Sequence, residues 1–192
     1  ITIHPLTPGC WPDLSALFNT SATPRACWCM WFRESTAGYR ANAGDANKRA
    51  FQRVVKTSAA PPGVIAYVDG QPAGWCAVAP REAYPRLQRS RTTKPIDDQP
   101  VWSVTCFFIA SKARRSGLGH ALLRGAVALA AVHGARIVEG YPLMPGRTLR
   151  SDEAYVGVSS LFEKAGFTIA ARPSERRAIM RYAIPKAASK KR

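Results

Sequence analysis

Apolar residues recur along the chain in short, nearly continuous runs, and these runs predict seven strands. The runs occupy residues 1–6, 64–68, 72–79, 101–110, 136–143, 167–171 and 178–184. Each is bounded by glycine, proline or polar residues, which is typical of strands with at least one buried face. Asp69-Gly70 separates the second run from the third and is typical of a tight hairpin turn. These two strands are therefore predicted to be antiparallel neighbours.

Helical spacing of apolar residues predicts four longer helices, at residues 11–18, 39–57, 118–133 and 154–165. The third is almost wholly apolar up to His133, so we expect it to be largely buried. The strand before it and the strand after it predict a right-handed parallel crossover. The predicted fold class is α/β, in the sense of an α+β mixed sheet. About seven strands, both antiparallel and parallel, would form the central sheet, with about four flanking helices.

Length and composition favour one domain. The chain has 192 residues, 46% of them hydrophobic, which is enough to bury one core. We assign residues 1–184 to a single domain and expect the basic tail, residues 185–192, to be disordered. No apolar run reaches the ~18 residues of a membrane span, and the start ITIHPLTPGC lacks the pattern of a secretory signal. Five cysteines, two of them in strand-like runs, favour reduced thiols and a cytoplasmic protein.

The net charge of +16 favours anionic partners. It does not choose between a nucleotide-bearing cofactor, a nucleic acid and an anionic acceptor. A solvated surface that reflects an arginine-rich composition explains the excess equally well. RNA binding is a second-choice interpretation, supported by a basic cluster but by no recognisable RNA-binding motif. That cluster contains Arg86, Arg89, Arg91 and Lys94.

A candidate anion site follows the fourth predicted strand. The sequence SKARRSGLG leads from this strand into the helix at residue 118. A glycine-bearing turn at a helix N-terminus presents backbone N–H groups to phosphate. Gly117 and Gly119 allow close approach because they lack a Cβ atom. Arg114 and Arg115 lie beside this turn in the sequence.

The stretch Cys27-Trp-Cys-Met-Trp-Phe32 has more apolar side chains in a row than one helix or strand face can bury. One interpretation is a core plug where helices meet the sheet. The other is an aromatic wall that contacts an acceptor substrate, formed by Trp28, Trp31 and Phe32. A Cys-x-Cys pair without a second close pair lacks zinc-site spacing, so we predict no metal.

The element order and two motifs resemble the GNAT superfamily of acyl-CoA-dependent N-acyltransferases. Its pyrophosphate signature, Gln/Arg-x-x-Gly-x-Gly/Ala after the fourth strand, is matched by residues 114–119. A second mark, an aromatic residue followed after three positions by Gly-Phe, is matched by Phe162 and Gly166-Phe167. The resemblance implies an N-acetyltransferase with acetyl-CoA as cosubstrate and an amine-bearing acceptor, either a small molecule or a peptide. Family members are often dimers, which makes a homodimer one expectation.

The resemblance also implies the cofactor contacts. Backbone N–H groups from Arg115 through His120 would hold the diphosphate at the positive end of the helix dipole. The backbone of Phe107 and Ile109 would pair with the pantetheine amides, because these residues are two apart and face the same way. The expected cofactor-binding residues are Phe107, Ile109, Arg114, Arg115, Ser116, Gly117, Leu118, Gly119, His120 and Phe162.

Neither usual catalytic side chain of the family is present. Ser103 stands where a carboxylate base is common, and Phe162 stands where a tyrosine acid is common. We name as candidates Glu139 for the base, Tyr141 and Tyr155 for the acid, and Ser103 as holder of a relaying water. An ion pair of Glu139 with an arginine such as Arg136 or Arg181 is the alternative for that carboxylate. A CoA-binding sensor without turnover therefore stays open beside the enzyme.

Overall fold

The computed structural model describes residues 1–144 and 154–185, and within them the chain forms seven strands and seven α-helices. The strands are β1 (Thr2–Pro5), β2 (Gly63–Val68), β3 (Gln71–Pro80), β4 (Trp102–Ile109), β5 (Ile137–Gly140), β6 (Thr168–Ser174) and β7 (Arg177–Ala183). The helices are α1 (Trp11–Asn19), α2 (Ala22–Cys27), α3 (Thr36–Ala41), α4 (Asp45–Thr57), α5 (Pro85–Arg89), α6 (Leu118–Val132) and α7 (Ser159–Lys164). Residues 186–192, which hold nearly all of the predicted tail, lie outside the described residues.

All seven strands join one sheet in the order β1-β2-β3-β4-β5-β7-β6. β4 and β5 are parallel, and the other neighbouring pairs are antiparallel. The predicted mixed sheet, its hairpin at Asp69-Gly70 and its parallel pair joined through α6 are therefore confirmed. α2 and α5 are short helices of six and five residues in addition to the four longer helices predicted.

Two predicted helices are broken. The helix predicted over residues 39–57 is two helices, because α3 ends at Ala41 and Gly44 takes a left-handed φ of 77° before α4. The helix predicted over residues 154–165 is a 3-10 turn at Ala154–Val156 followed by the shorter α7. Gly157, with φ 80°, separates the two, and Val158 forms a β-bridge there instead of a helical turn.

Helices cover both faces of the sheet. α6 and α7 pack on one face with Leu122 and Phe162 in the core. α1, α2 and α4 pack on the other face around Trp28 and Phe51. In the described ranges no helix has the length and apolar character needed to cross a membrane.

Candidate active site

The parallel strands β4 and β5 pair along only a short stretch. Trp102–Val104 lies opposite Val138–Gly140, and there the pairing stops. β4 continues to Ile109, whereas β5 ends at Gly140 and the chain passes through Pro142. In the part of the chain that the structure describes, β4 therefore has an edge on the β5 side that no β5 residue pairs with.

The unpaired edge of β4 presents backbone groups of Phe107 and Ile109. The N–H of Ala110 donates to the carbonyl of Ala73 at 2.9 Å, so the N–H and C=O groups of Ala110 are directed toward β3. Because backbone groups alternate sides along a strand, those of Ile109 and Phe107 are directed away from β3. The Nε of Arg114 donates to the Ile109 carbonyl at 3.4 Å, which places this arginine at the outer end of the edge.

The turn after β4 ends at the N-terminus of α6 with two left-handed residues. Arg115 has φ 64° and Gly117 has φ 81°. The first helical bonds run from the N–H groups of His120 and Ala121 to the Gly117 carbonyl, at 3.0 and 3.2 Å. The N–H groups of the preceding helical residues, 118 and 119, have no carbonyl ahead of them and are directed out of the helix end.

His120 does not offer the free backbone N–H group that was expected to contact the diphosphate. Its backbone N–H is used inside the helix, and its ring nitrogen Nε2 lies 3.2 Å from the Lys164 carbonyl. Leu118 offers only its backbone, because its side chain is buried in the core. Ser116 points its hydroxyl back into the turn, donating to the Ala113 carbonyl at 2.8 Å.

Phe162 is also misplaced as a cofactor contact. Its side chain is fully buried, with the rings of Phe107 and Phe167 at centroid distances of 6.1 and 5.1 Å. A Cβ added to Gly140 would lie 2.1 Å from the Phe162 ring. The motif from Phe162 to Phe167 therefore packs under β4 and β5, and the Phe162 side chain cannot reach a ligand on the open edge.

The predicted catalytic residues Ser103, Glu139 and Tyr141 do lie together, in a buried polar network. Ser103 is directly opposite Glu139 in the β4–β5 register. The Tyr141 hydroxyl donates to Glu139 Oε1 at 2.7 Å and lies 2.8 Å from Ser103 Oγ. Arg81 Nη1 contacts Glu139 Oε1 at 2.7 Å, and Arg181 Nε contacts Oε2 at 2.7 Å.

This network argues against Glu139 as the base. Both carboxylate oxygens accept from arginine, and the residue is 0% exposed. The ion pair with Arg181, the alternative expected for this carboxylate, is present, and a carboxylate held by two arginines favours a structural role over that of a base. Tyr141 is equally enclosed: burial and the charge of Glu139 raise the pKa of its phenol well above the ordinary value. A buried phenol whose hydroxyl is already hydrogen-bonded within this network cannot reach a leaving group.

Sequence reasoning missed Arg81 and the anchoring of Arg181. Arg81 follows β3 directly, is buried, and also donates to the Tyr141 hydroxyl at 2.6 Å and to the Thr93 carbonyl. Arg181 extends to Asp97, with Nη1–Oδ2 at 2.6 Å. In the sequence, Arg81 appears only as a cation that follows a predicted strand. A solvent-exposed linker residue would look the same, so the sequence does not indicate that Arg81 is buried.

Tyr155 remains as an accessible candidate acid. It is partly buried beside Phe32, with ring centroids 6.3 Å apart, on the same side of the sheet as the network. Burial raises the pKa of the Tyr155 phenol, and the nearby guanidinium groups of Arg177 and Arg86 oppose that shift. The phenol is therefore protonated at neutral pH.

The aromatic stretch divides between core and cleft. Trp28 is 1% exposed and packs against Trp11 and Phe18 at centroid distances of 5.5 and 5.3 Å, so its place in an acceptor wall is contradicted. Trp31 is partly exposed, and the Arg86 guanidinium lies 3.8 Å from its ring centroid. Phe32 is buried next to Tyr155.

Arg86 is therefore a structural residue as much as a surface cation. It donates to Thr36 Oγ1 at 2.9 Å and to the Glu34 and Trp31 carbonyls. Because these contacts within the protein engage its guanidinium group, Arg86 no longer supports the interpretation of the basic cluster as an RNA-binding surface. Among the described residues, no group of three or more His, Cys, Asp or Glu side chains could hold a metal ion.

Comparisons with known proteins identify the family and the fold. Residues 24–141 match the model of the acetyltransferase (GNAT) family. The fold is similar to the crystal structure of histone acetyltransferase HPA2 and related acetyltransferase from Corynebacterium glutamicum, with TM-score 0.57, 18% identity and coverage of 97% of this chain and 98% of that one. It is also similar to ribosomal-protein-alanine N-acetyltransferase from Brucella melitensis, with TM-score 0.56, 15% identity and coverage of 96% and 100%. A search of curated proteins by sequence finds no match.

Proposed function

Because the chain belongs to the acetyltransferase (GNAT) family, whose members move an acyl group from acyl-CoA to an amine, we propose that it acetylates an amine with acetyl-CoA. The observation that carries the proposal is the edge of β4 that continues past its pairing with β5 and ends at the turn before α6. An extended ligand with amides and a terminal diphosphate matches such an edge followed by a helix N-terminus.

The residues present fit coenzyme A. The backbone of Phe107 and Ile109 would hold the pantetheine arm, and the N–H groups of Leu118 and Gly119 would hold the diphosphate. Arg114 and Arg115 add positive charge beside that end. When bound, the cosubstrate supplies the thioester whose carbonyl carbon is attacked by the amine. Binding on a rigid strand edge fixes this carbon relative to the acceptor cleft.

We assign proton donation to Tyr155. Its phenol stays protonated at neutral pH and is partly exposed on the acceptor side, so it can donate to a leaving thiolate. Ser103, Glu139 and Tyr141 instead hold β4 and β5 together at the base of the cleft. Trp31, which is partly exposed, would line the acceptor side, whereas Phe32 is buried beside Tyr155, so acceptors with an apolar or aromatic part are favoured. The similarity to a ribosomal-protein-alanine N-acetyltransferase adds peptides with an N-terminal alanine to the acceptor classes to test.

Isothermal titration with acetyl-CoA tests the cofactor site. A Cβ at Gly119 would meet side-chain atoms of Ile109 and Leu161 at ordinary contact distances of 3.6–3.7 Å, and a bulky side chain built on it would cover the helix end. We expect Gly119→Trp to weaken acetyl-CoA binding at least tenfold and Arg124→Trp, at an exposed position of the same helix, to leave it unchanged. If the wild type does not bind acetyl-CoA at millimolar concentration, the proposal is refuted.

Turnover is tested by thiol release with a panel of amines that includes small aromatic amines and peptides with N-terminal alanine. We expect Tyr155→Phe to lower kcat by about 10²-fold or more with little change in KM, as for loss of a general acid. A coenzyme A sensor without turnover is the second candidate, favoured by the burial of Ser103 and Glu139. Binding without thiol release from any amine in the panel would establish the sensor instead.

A further inference from the structure

Arg86 of α5 makes four hydrogen bonds to the chain that leads from α2 into α3. Its Nε donates to the Trp31 carbonyl, its Nη1 donates to Thr36 Oγ1 at 2.9 Å, and its Nη2 donates to the Glu34 carbonyl at 3.2 Å. Its backbone N–H donates to the Phe32 carbonyl at 3.3 Å. One residue of a neighbouring helix therefore binds three backbone carbonyls and one hydroxyl of this part of the chain.

The same guanidinium group also fixes the ring of Trp31. Arg86 Cζ lies 3.8 Å from the ring centroid, which is the distance of a cation stacked on an aromatic face. The Tyr39 ring meets the Trp31 ring edge-on, with the centroids 5.0 Å apart and an interplanar angle of 84°. Trp31 stays partly exposed in spite of these two contacts. A partly exposed ring that is held in one orientation is a preformed surface for an apolar group of a ligand.

The α2–α3 connection, residues 28–35, has little structure of its own to hold Trp31 in this orientation. Between the two helices it forms only turns, in which two N–H groups donate to the Met30 carbonyl at 2.9 and 3.0 Å. Three of its other carbonyls accept from Arg86 instead. A planar guanidinium group presents its donors in fixed directions, so it defines the positions of several acceptor atoms at once. The placement of the Trp31 ring therefore depends on Arg86.

The α2–α3 connection borders the side of the sheet on which the acceptor is proposed to bind. Phe32 lies beside Tyr155, to which proton donation is assigned, with the ring centroids 6.3 Å apart. Trp31, one residue earlier, packs against the same apolar cluster and stays partly exposed, whereas Phe32 is buried. Of these two neighbouring rings, Trp31 is therefore the one that an acceptor can contact.

We propose that Arg86 is a positioning residue for acceptor binding that acts through Trp31. By holding the α2–α3 connection and the ring, it preforms the surface on which the apolar or aromatic part of the acceptor packs. The inference rests on the proposed function, because it takes this surface to be part of the acceptor site. Without Arg86 the ring has to be ordered when the acceptor binds, which weakens acceptor affinity and leaves the chemical step unchanged. The KM for the acceptor therefore rises without a matching change in kcat.

Thiol release at saturating acetyl-CoA, with the amine of the panel that has the lowest KM, tests the inference. Arg86→Met removes the donors and the charge, and we expect it to raise the KM for the amine by about fivefold or more and to keep kcat within about twofold. Arg89→Met is the matched control and should leave both constants unchanged. Arg89 is exposed on the same helix, and in the described part of the chain its guanidinium group makes no hydrogen bond or ion pair.

A double-mutant cycle shows whether Arg86 acts through Trp31. Trp31→Ala should raise the KM for the amine by a factor similar to that of Arg86→Met. Adding Arg86→Met to Trp31→Ala should raise this KM by less than about twofold further, because both changes remove the same preformed surface. A measurement without turnover complements the cycle: hydrogen exchange over residues 30–36 should be faster in Arg86→Met than in Arg89→Met.

The inference is overturned if Arg86→Met leaves the KM for the amine unchanged, if it lowers kcat instead, if its effect multiplies with that of Trp31→Ala, or if hydrogen exchange equals that of the control. An unchanged KM in an enzyme that turns over refutes this inference alone. A wild type that releases no thiol with any amine refutes the proposed function and this inference with it. Should circular dichroism show that Arg86→Met does not fold, Arg86→Lys, which keeps the charge but lacks the planar fork of donors, takes its place in every comparison.

Discussion

Replacing Glu139 by glutamine separates a structural carboxylate from a catalytic one. The substitution keeps the shape of the side chain but leaves Arg81 and Arg181, whose side chains are 6% and 14% exposed, facing a neutral amide. Removing one partner of a buried ion pair costs about 3–5 kcal/mol, because the remaining charge is desolvated without compensation. For a chain of this size 1 kcal/mol shifts the melting midpoint by roughly 2–4 °C. We therefore expect the midpoint to fall by about 6–20 °C.

Urea unfolding and calorimetry measure the loss, and thiol release below the new midpoint measures kcat. We expect the folded variant to keep kcat within about threefold of wild type, whereas loss of a general base typically costs 10²–10⁴-fold. Combining Glu139→Gln with Arg81→Met should cost less than the sum of the single changes, since the stranded charge is removed too. A Glu139→Gln variant with the wild-type midpoint and a kcat reduced more than a hundredfold would refute the structural role.

Two further perturbations test the packing under β5 and the outer end of the network. Gly140→Ala should lower the free energy of unfolding in urea by about 1–3 kcal/mol, because the added Cβ would lie 2.1 Å from Phe162. Gly9→Ala is the control. Its Cβ would have one neighbour at 3.7 Å, so it should change the free energy of unfolding by less than about 0.5 kcal/mol. A stable Gly140→Ala would contradict the tight approach. Hydrogen bonding to Arg181 lowers the pKa of Asp97, so its contribution is present above the unfolded pKa and is lost as pH falls through the folded pKa. Asp97→Asn should therefore lose less stability than wild type between neutral pH and about pH 3 in urea unfolding, and an unchanged acid dependence would show that this pair does not contribute.

Hydrophobic patterning was enough to predict the sheet, because each strand has to bury one face or both. It placed seven strands, the hairpin at Asp69-Gly70 and the largely buried α6. It failed where one residue interrupts a continuous apolar spacing. Gly44 and Gly157 both take left-handed φ values, and a periodic pattern does not reveal whether a glycine is used as a turn or tolerated in a helix.

The residues that would bind the cofactor could be inferred from the sequence better than the residues that would transfer protons. The turn at residues 114–119 depends on local backbone geometry that the sequence motif encodes directly. The motif does not show that the His120 N–H is used inside the helix, because this depends on where the N-cap falls, and Gly117 takes that position. The burial of Phe162 cannot be predicted from the motif, because spacing along α7 does not show which face of the helix meets the sheet.

The polar network depends on register, which patterning does not give. Ser103, Glu139 and Arg181 lie in one row across β4, β5 and β7, each directly opposite the next. A buried carboxylate needs a compensating cation, so an ion pair with an arginine such as Arg181 is one of two interpretations of Glu139 that the sequence allows, but Arg81 enters from the end of another strand. The same row explains why the family's usual base is missing. A carboxylate at position 103 would face Glu139 across neighbouring strands in a buried setting, where two like charges repel and one must give up its charge. A serine at position 103 is therefore compatible with an ion-paired Glu139 where a second carboxylate would not be, and this is why the proposed function assigns proton donation to Tyr155 instead.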